Sequence, residues 1–479
     1  MIISAVGIVA ANPLTHIQSS THLDDEGTHL DDVGTNTNDE TRFTWHEAPS
    51  VTIPRAYPAV VVLGNGNVLV IGGITLGNTP TATTEIFDQK AGAWKPGPTM
   101  ASKRVGHTAT LLKDGTVLVT GGETGAGVTA SAELLNTTGI ASYSLMGMNF
   151  ARSGHAAVLL GNGKVLVTGG ADSVGHTWKQ AEIYDPSGHK WLPAGNMALP
   201  RMTLTLRMLA DGSAIAIGGD RNGTSEKYIP FSNTWTGLAQ MRSIRYNSAS
   251  VTLDDGRILV AGGLVNANPI ASAEIFNPST SSWSDLSNMM FARSSFSLTS
   301  AKSGVLAAGS FSKLGTTNST ELFNPGNSTW SLAEPMNKSR GAQGYAAVPG
   351  GSVFEIGGWS NGVITSSVDV FGPAAPIPPP PKPPPPKPHM PIDLVPLVLE
   401  CKELPGNSAY GLIAKLRAAQ AKYDEKEFAV CINIMNAFYH QVKAFDNSGH
   451  MTEQHVDTLY SGYASVLSYI GGTPLPPIG

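Results

Sequence analysis

An arginine and an acidic residue each recur at regular spacing through this chain, and these two repeated positions are the first candidates for catalytic or binding residues. The recurring arginines are Arg55, Arg104, Arg152, Arg201, Arg245, Arg293 and Arg340. The recurring acidic residues are Glu85, Glu133, Glu182, Glu226, Glu274, Glu321 and Asp369. Seven arginines at one end of a fold would attract an anion, whereas one arginine beside one carboxylate per repeat would form a structural ion pair. We favour the ion pair, because a ligand site rarely needs seven copies.

Histidine and cysteine, the usual metal ligands and nucleophiles, are sparse in the repeats. His107 and His155 share one repeat position, which indicates hydrogen-bonded strand residues rather than metal ligands. The two cysteines, Cys401 and Cys431, both follow the last repeat. No phosphate-binding loop or nucleophile elbow occurs. The sequence therefore gives no support for an enzyme, and it predicts neither a cofactor nor a metal site.

Variable loops between the repeated strands supply better candidates for ligand binding. The candidate residues are His176, Trp178, Arg221, Asn222, Phe311 and Trp359. Exposed aromatic side chains suit sugar stacking or protein hot spots. The alternative is that the aromatic rings pack against a neighbouring repeat.

A Gly-Gly pair closing a β-branched run marks the repeat that must position these residues. The first glycine of each pair recurs every 44–49 residues, at Gly72, Gly121, Gly169, Gly218, Gly262, Gly309 and Gly357. In the sixth copy serine replaces the second glycine. An apolar run and a Gly/Asn-rich hairpin turn precede the pair, and a variable loop and a short strand with the acidic residue follow it. Each unit therefore predicts four short strands, which we call a to d.

Seven such sheets predict an all-β, seven-bladed β-propeller over residues 41–371. A single four-stranded sheet cannot bury both faces, whereas radial packing of seven sheets buries every face and leaves short edges. In this arrangement the b–c and d–a loops lie on one face of the ring. Variable loops on a rigid scaffold are the expected site of binding.

The count of outer strands predicts how the ring closes. Seven a–b–c sets are followed by only six closing aromatics, namely Trp94, Tyr143, Trp191, Trp235, Trp283 and Trp330. The seventh set runs directly into proline. The stretch "TRFTWHEAP" (41–49) contains Trp45 and is the remaining source of an outer strand. We therefore expect the first ordered residues to complete the last blade.

The pattern of R-x-x-H, Gly-Gly, E-x-[YF]-[DN]-P and Trp resembles the kelch repeat. The resemblance extends to galactose oxidase, another seven-bladed kelch protein. The copper–radical chemistry of that enzyme needs a cysteine cross-linked to a tyrosine, together with histidine ligands. Because the repeats contain no cysteine, that cofactor cannot be built here.

The segments outside the repeats differ in composition. Residues 1–40 combine an apolar start, which is either an export signal or an ordinary apolar terminus, with a disordered acidic leader. Residues 372–391 form a polyproline linker, which is either a stiff spacer or a PxxP ligand. No apolar run reaches the ~18–20 residues that span a membrane.

Residues 392–471 have a helical pattern and precede a short tail, 472–479. Apolar stripes predict three or four helices, one of them opening at Asp424 with Glu427 three residues later. The segments "LIAKLRAAQ", "AFYHQVKAF" and "MTEQHVDTLY" together resemble the FIMAH-type domain of exported bacterial and archaeal proteins. That resemblance implies export, in which case Cys401 and Cys431 can form a disulfide.

Charge and composition narrow the function. With 14% charged residues, a net charge of −5 and no basic cluster, a nucleic-acid partner is not expected. We predict an exported, non-enzymatic protein whose monomeric propeller recognises a protein or a glycan at the b–c/d–a face. One alternative is an extracellular carbohydrate-active enzyme with an unrecognised site in the propeller mouth. Another is a cytoplasmic kelch scaffold with a proline-rich docking segment.

Overall fold

The computed structural model describes residues 8–9, 43–312, 315–373, 408–447, 456, 459–460, 463–464 and 466–467. The chain divides into two compact units, Met1–Pro380 and Pro381–Gly479. Most of the predicted leader and nearly all of the polyproline linker lie outside the described residues. No helix in the described part of the chain combines the length and the apolar character needed to cross a membrane.

The first unit is a ring of seven four-stranded antiparallel sheets, so the prediction of a seven-bladed propeller is confirmed. The a strands, innermost in blades 1 to 7, are β3 (Ala59–Val62), β9 (Thr108–Leu111), β15 (Ser153–Leu159), β19 (Thr205–Met208), β23 (Ala249–Thr252), β29 (Ser297–Ala301) and β33 (Gly344–Ala347). The b strands are β4 (Val68–Ile71), β10 (Val117–Thr120), β16 (Val165–Ala171), β20 (Ala214–Ile217), β24 (Ile258–Ala261), β30 (Gly304–Ser312) and β34 (Val353–Ile356). The c strands are β7 (Thr84–Asp88), β13 (Ala132–Asn136), β17 (Ala181–Asp185), β21 (Ser225–Ile229), β27 (Ala273–Asn277), β31 (Gly315–Asn324) and β37 (Val368–Pro373). The outermost d strands are β8 (Ala93–Pro96), β14 (Ala141–Leu145), β18 (Lys190–Pro193), β22 (Thr234–Gly237), β28 (Ser282–Asp285), β32 (Thr329–Ala333) and, in blade 7, β2 (Phe43–Ala48).

Shorter strands lie in the b–c loops and inside the ring. The b–c loops of four blades form two-stranded hairpins, which are β5 (Ile74–Thr75) with β6 (Thr79–Pro80), β11 (Glu123–Thr124) with β12 (Gly127–Val128), β25 (Leu264–Val265) with β26 (Asn268–Pro269), and β35 (Trp359–Ser360) with β36 (Val363–Ile364). Strand β1 (Ile8–Val9) pairs in parallel with the inner strand β9. Isolated bridges join the b–c loop of one blade to the d–a loop that follows it, as between Thr81 and Arg104. The two loop families therefore share one face, as the strand order predicts.

Blade 7 is completed by β2, the strand that the repeat count required. All six residues of β2 pair with β37, and Trp45 lies opposite Phe371. The two rings pack with centroids 5.3 Å apart. The Trp45 side chain is buried with Met336 and Val353 in the apolar cluster between blades 6 and 7. Residues from opposite ends of the propeller thus close the ring through hydrogen bonds and packing.

The Gly-Gly pairs join each blade to the next. At the second position of each pair the backbone N–H donates to the carbonyl oxygen of the next repeat arginine, at 2.8–2.9 Å in all seven copies. At the first position a side chain has no room, since a Cβ on Gly121 would lie 2.5 Å from the carbonyl oxygen of Arg152. Its φ of +60° also favours glycine. The glycines are therefore required by close contact between blades.

Aromatic pairs pack the outer half of six blades, and blade 2 is the exception. Each closing tryptophan stacks at a tilt on the aromatic residue opposite it in strand c, with centroids 5.1–5.4 Å apart. In blade 2 the residue opposite Leu135 is Ser142, and Tyr143 lies opposite Leu134. Our assignment of Tyr143 as the closing aromatic is therefore wrong by one residue. Because successive strand residues face opposite ways, Tyr143 lies on the other face and is exposed.

The second unit is a small helical core. It contains α1 (Ser408–Asp424), α2 (Phe428–Asn447) and helical residues between 456 and 467. Leu416, Met435, Phe438 and Leu467 are among its fully buried residues. The predicted helix start at Asp424 is wrong, because α1 continues to that residue and α2 begins at Phe428. Lys426, between the two helices, has a φ of +61°.

Cys431 is buried in this core, and burial raises the pKa of its thiol. Cys401 lies outside the described residues, so the disulfide stays a prediction.

Candidate functional site

The repeat arginines form buried ion pairs within the blades. In blade 2, Arg104 Nη2 lies 2.6 Å from Glu133 Oε1, and Nη1 donates to the carbonyl oxygen of Gly121 at 2.8 Å. Glu133 also accepts the backbone N–H groups of Ala101 and Ser102. The same pairing occurs in all seven blades, with N–O distances of 2.6–3.1 Å and arginine side chains that have no exposed surface.

This network accounts for both charged repeat positions. Each arginine side chain holds its own blade, while its carbonyl oxygen accepts the Gly-Gly N–H of the blade before. Buried charges are tolerated when they are paired and hydrogen-bonded as fully as these are. The arginines therefore do not form an anion funnel, and the structural interpretation is confirmed.

The two histidines of the repeat are buried beneath these arginines. Burial lowers the pKa of His107 to about 3, with the Arg104 charge adding to the effect. Burial and Arg152 also lower the pKa of His155 well below its usual value. The His155 Nε2 atom is within hydrogen-bond distance of the hydroxyl groups of Thr108 and Thr120. His155 lies in β15, whereas His107 directly precedes β9, so the prediction of a strand residue is confirmed for His155 alone. Both imidazoles are buried and neutral.

Trp178 packs inside the b–c loop of blade 3. Its ring contacts Phe150, from the preceding d–a loop, at 4.9 Å between centroids, and His176 approaches edge-on at 4.3 Å. The indole Nε1 donates to the carbonyl oxygen of Ala151 at 2.9 Å. His176 remains exposed beside Asp172, with 3.9 Å between Nδ1 and Oδ2. Trp178 thus supports the loop, and His176 is the side chain that faces solvent.

Arg221 and Asn222 lie on the adjacent blade 4. Both are exposed, and the carbonyl oxygen of Asn222 accepts a hydrogen bond from Gln240 Nε2. Burial and the Asp220 charge raise the pKa of Tyr246, and the Arg221 charge partly offsets that rise. The exposed guanidinium therefore lies next to the start of blade 5.

Phe311 and Trp359 lie together at the mouth of the ring, on blades 6 and 7. The backbone of Trp359 exchanges two hydrogen bonds with Gly341, at 2.8 and 3.0 Å. A Cβ on Gly341 would lie 2.9 Å from the Phe311 ring, so the ring covers that glycine. Trp359 also packs against an apolar cluster containing Ile74 and Val105. Both aromatic rings are partly buried.

The six predicted residues thus lie on one face of the ring in two groups, one on the adjacent blades 3 and 4 and the other on the adjacent blades 6 and 7.

The sequence patterns did not single out several exposed apolar residues on the same face. Val174 is 89% exposed, and Met290 and Phe291 in the d–a loop before blade 6 are also exposed. Phe291 occupies the repeat position of Phe150, and this correspondence is the sequence feature that could have identified Phe291.

Comparisons with known proteins place these features in context. The sequence profile of the Kelch motif family matches residues 54–101 and 245–290. The chain is 28% identical over 121 residues to an F-box/kelch-repeat protein of Arabidopsis thaliana, covering 23% of this chain and 26% of that protein. It is 29% identical over 119 residues to a kelch repeat-containing protein of Caenorhabditis elegans, covering 23% of this chain and 20% of that protein. The chain therefore matches about a quarter or less of each relative's length.

Among solved structures, the ring is similar to a fungal alcohol oxidase of the AA5 family, determined in complex with copper. The TM-score is 0.56 at 18% identity, covering 69% of this chain and 76% of the oxidase. Within the described part of the chain, no three His, Cys, Asp or Glu side chains are placed to hold a metal ion. At 18% identity the likeness is one of fold. The sevenfold register, the matched motifs and this fold together identify the first unit as a seven-bladed β-propeller built from kelch motifs.

Proposed function

We propose that this protein is a non-enzymatic binding protein whose b–c/d–a face recognises a partner protein. The observation that carries the proposal is that the repeated and the variable residues have different environments. The sevenfold charged residues are paired and buried inside the blades, whereas the variable loops expose different side chains on one rigid face. Rigid scaffolds with variable loops commonly bind through those loops.

The packing of the aromatic rings favours a protein over a glycan. Sugar stacking needs a free aromatic face, but the Trp178 ring is occupied by Phe150 and His176. Trp359 packs against the apolar mouth cluster. What remains exposed is a mixture of apolar, polar and charged side chains, such as Val174, His176 and Arg221. Such a mixture suits a protein interface with apolar anchors and a polar rim.

Site-specific photo-crosslinking tests the proposal. A crosslinking amino acid at Val174 probes the proposed face, and the same group at Phe231 probes the c–d turn on the opposite face. Both positions are almost fully exposed, at 89% and 102%. We expect one discrete protein adduct from position 174 and none from position 231. Adducts from position 231 alone would contradict the assignment of the face.

A glycan partner stays an alternative on the same face, and a glycan array with the intact protein separates the two. An extracellular carbohydrate-active enzyme is the rival function, and the fold likeness to an alcohol oxidase is the observation that keeps it open. Turnover of any carbohydrate by the purified protein would replace the binding proposal with that one.

We further propose that the protein is exported. The proposal rests on the apolar start of the sequence and on the FIMAH-type resemblance of residues 392–471. The cytoplasmic kelch scaffold is the alternative. Protease accessibility on intact cells distinguishes them, because only exported protein is digested without lysis.

A further inference from the structure

Arg207 is the one Asp, Glu, Lys or Arg residue on the seven inner strands that line the central channel of the ring. It lies in β19 of blade 4 opposite Ile215. The register of the other blades places apolar or hydroxyl residues at the same position, namely Val61, Thr110, Val158, Val251, Thr299 and Ala346. A charge at this position is therefore particular to blade 4.

The hydrogen bonds of Arg207 leave one edge of its guanidinium group without a partner. Nε donates to Ser250 Oγ at 2.9 Å, and Nη2 donates to the Ser250 carbonyl oxygen. Among the described residues, Nη1 donates no hydrogen bond and no carboxylate forms an ion pair with Arg207. Each of the seven repeat arginines, by contrast, has a carboxylate within 3.1 Å. Arg207 is partly buried, and a cation shielded from water without a counterion is costly.

The groups around Arg207 are hydrogen-bond donors rather than counterions. Thr205, two residues earlier on the same strand, has a buried hydroxyl with no partner in the described part of the chain. Burial lowers the pKa of Arg207, and Tyr345, on the inner strand β33 of blade 7, is the ionisable group close enough to act on that pKa. Burial raises the pKa of Tyr345, so the phenol is neutral. Burial also raises the pKa of Glu355, opposite Tyr345 on β34, to about 8, so this acid is protonated at neutral pH.

We propose that the central channel binds a small carboxylate between Arg207 and Tyr345. The free Nη1 and Nη2 hydrogens form a planar fork that donates two hydrogen bonds to the two oxygens of one carboxylate. The hydroxyl groups of Thr205 and Tyr345 add neutral donors beside it. The ligand stabilises the ring from inside, so the site is independent of partner binding at the loop face.

Thermal unfolding of the full chain in sodium acetate tests the site, with sodium chloride at equal ionic strength as reference and sodium phosphate as a second anion. The matched variants are Arg207→Val, which installs the residue of three other blades, and Arg221→Ala, which removes an exposed arginine. We expect acetate to raise the Tm of the wild type and of Arg221→Ala in a dose-dependent way. At about 100 times the Kd, the folding equilibrium constant should rise about 100-fold. Arg207→Val should show no rise.

Each other outcome counts against the proposal. No rise in the wild type with acetate overturns it, as does an equal rise in Arg207→Val. A rise with phosphate alone, lost in Arg207→Val, overturns the carboxylate assignment. Arg207→Lys gives a second measurement if the valine variant does not fold. It keeps the charge but lacks the fork, so its acetate response should be at least several-fold weaker, and an undiminished response contradicts the bidentate geometry.

Discussion

Removal of strand β2 should destabilise the whole propeller, because that strand closes the ring. The perturbation is a pair of truncations, one beginning at residue 41 and one at residue 50. The first keeps β2 (Phe43–Ala48), and the second removes it together with all six residue pairs to β37. Both lack the acidic leader, so the comparison isolates the strand.

The magnitude follows from the burial of Trp45. This side chain is 8% exposed and packs against Phe371, Met336 and Val353. Removal of a buried tryptophan side chain costs about 3–5 kcal/mol, a large part of the 5–15 kcal/mol that stabilises a typical domain. The lost strand pairing also exposes the edge of β37. We therefore expect the free energy of unfolding to fall by at least about 3 kcal/mol, or more than about 100-fold in the folding equilibrium.

Urea unfolding followed by far-UV circular dichroism measures the difference, with the truncation at 41 as the reference because both truncations lack β1 as well as the leader. A peptide of residues 41–50 added to the shorter protein should restore stability by adding the missing strand. The same peptide with Trp45→Ala is the control and should restore little. If the protein beginning at residue 50 unfolds at the same urea concentration as the one beginning at residue 41, the closure described here is wrong.

Three further predictions concern buried ionisable groups. Arg104→Met should lower the free energy of unfolding by about 3–5 kcal/mol because it leaves a buried carboxylate unpaired, whereas Arg221→Met on the surface should change it by less than about 0.5 kcal/mol in the same denaturation assay. The folded-state pKa of Glu355, about 8, lies above its usual 4.5, so the free energy of unfolding should fall as the pH rises from 4.5 to 8. Glu355→Gln should reduce the slope of that fall by up to about 1.4 kcal/mol per pH unit. An unchanged slope would show that the acid is not protonated in the folded protein. The pKa of His107, about 3, lies below its usual 6.5, so stability falls as pH drops below 6.5; His107→Leu should remove up to about 1.4 kcal/mol per pH unit of that fall, measured by Tm against pH.

Much of the fold follows from the sequence because its determinants repeat. Seven copies of the Gly-Gly pair and of the arginine predict both the blade count and the buried ion pairs. The missing seventh aromatic points to Trp45. A motif seen once can be interpreted in several ways, whereas seven copies in the same register favour one interpretation. The features that recur seven times were therefore predictable.

Features that occur once were harder to predict. In blade 2 a shift of one residue put Tyr143 on the opposite face, because an aromatic residue close to the expected position mimics the repeat. Arg207 replaces apolar or hydroxyl residues of the other blades and Glu355 replaces apolar ones, but only the register between strands shows that they face the interior.

The loop aromatics were singled out by type, yet their exposure depends on neighbours from a different loop. Trp178 shows this most clearly, since its cover comes from Phe150 in the preceding d–a loop. No local pattern in the b–c loop encodes that contact. Sequence reasoning therefore predicted that the b–c and d–a loops share one face of the ring, but it could not tell which of their side chains reach solvent.

The affinity of a crosslinked partner for matched surface variants tests the loop-face proposal most directly. The double variant His176→Ala/Arg221→Ala removes two exposed side chains from the proposed face, and Phe231→Ser alters the opposite face. By isothermal titration calorimetry, we expect the double variant to bind at least about 10-fold more weakly, the loss of about 1.4 kcal/mol that marks a hot spot. Phe231→Ser should bind like the wild type. Unchanged affinity in the double variant, with a loss in Phe231→Ser, would contradict the account.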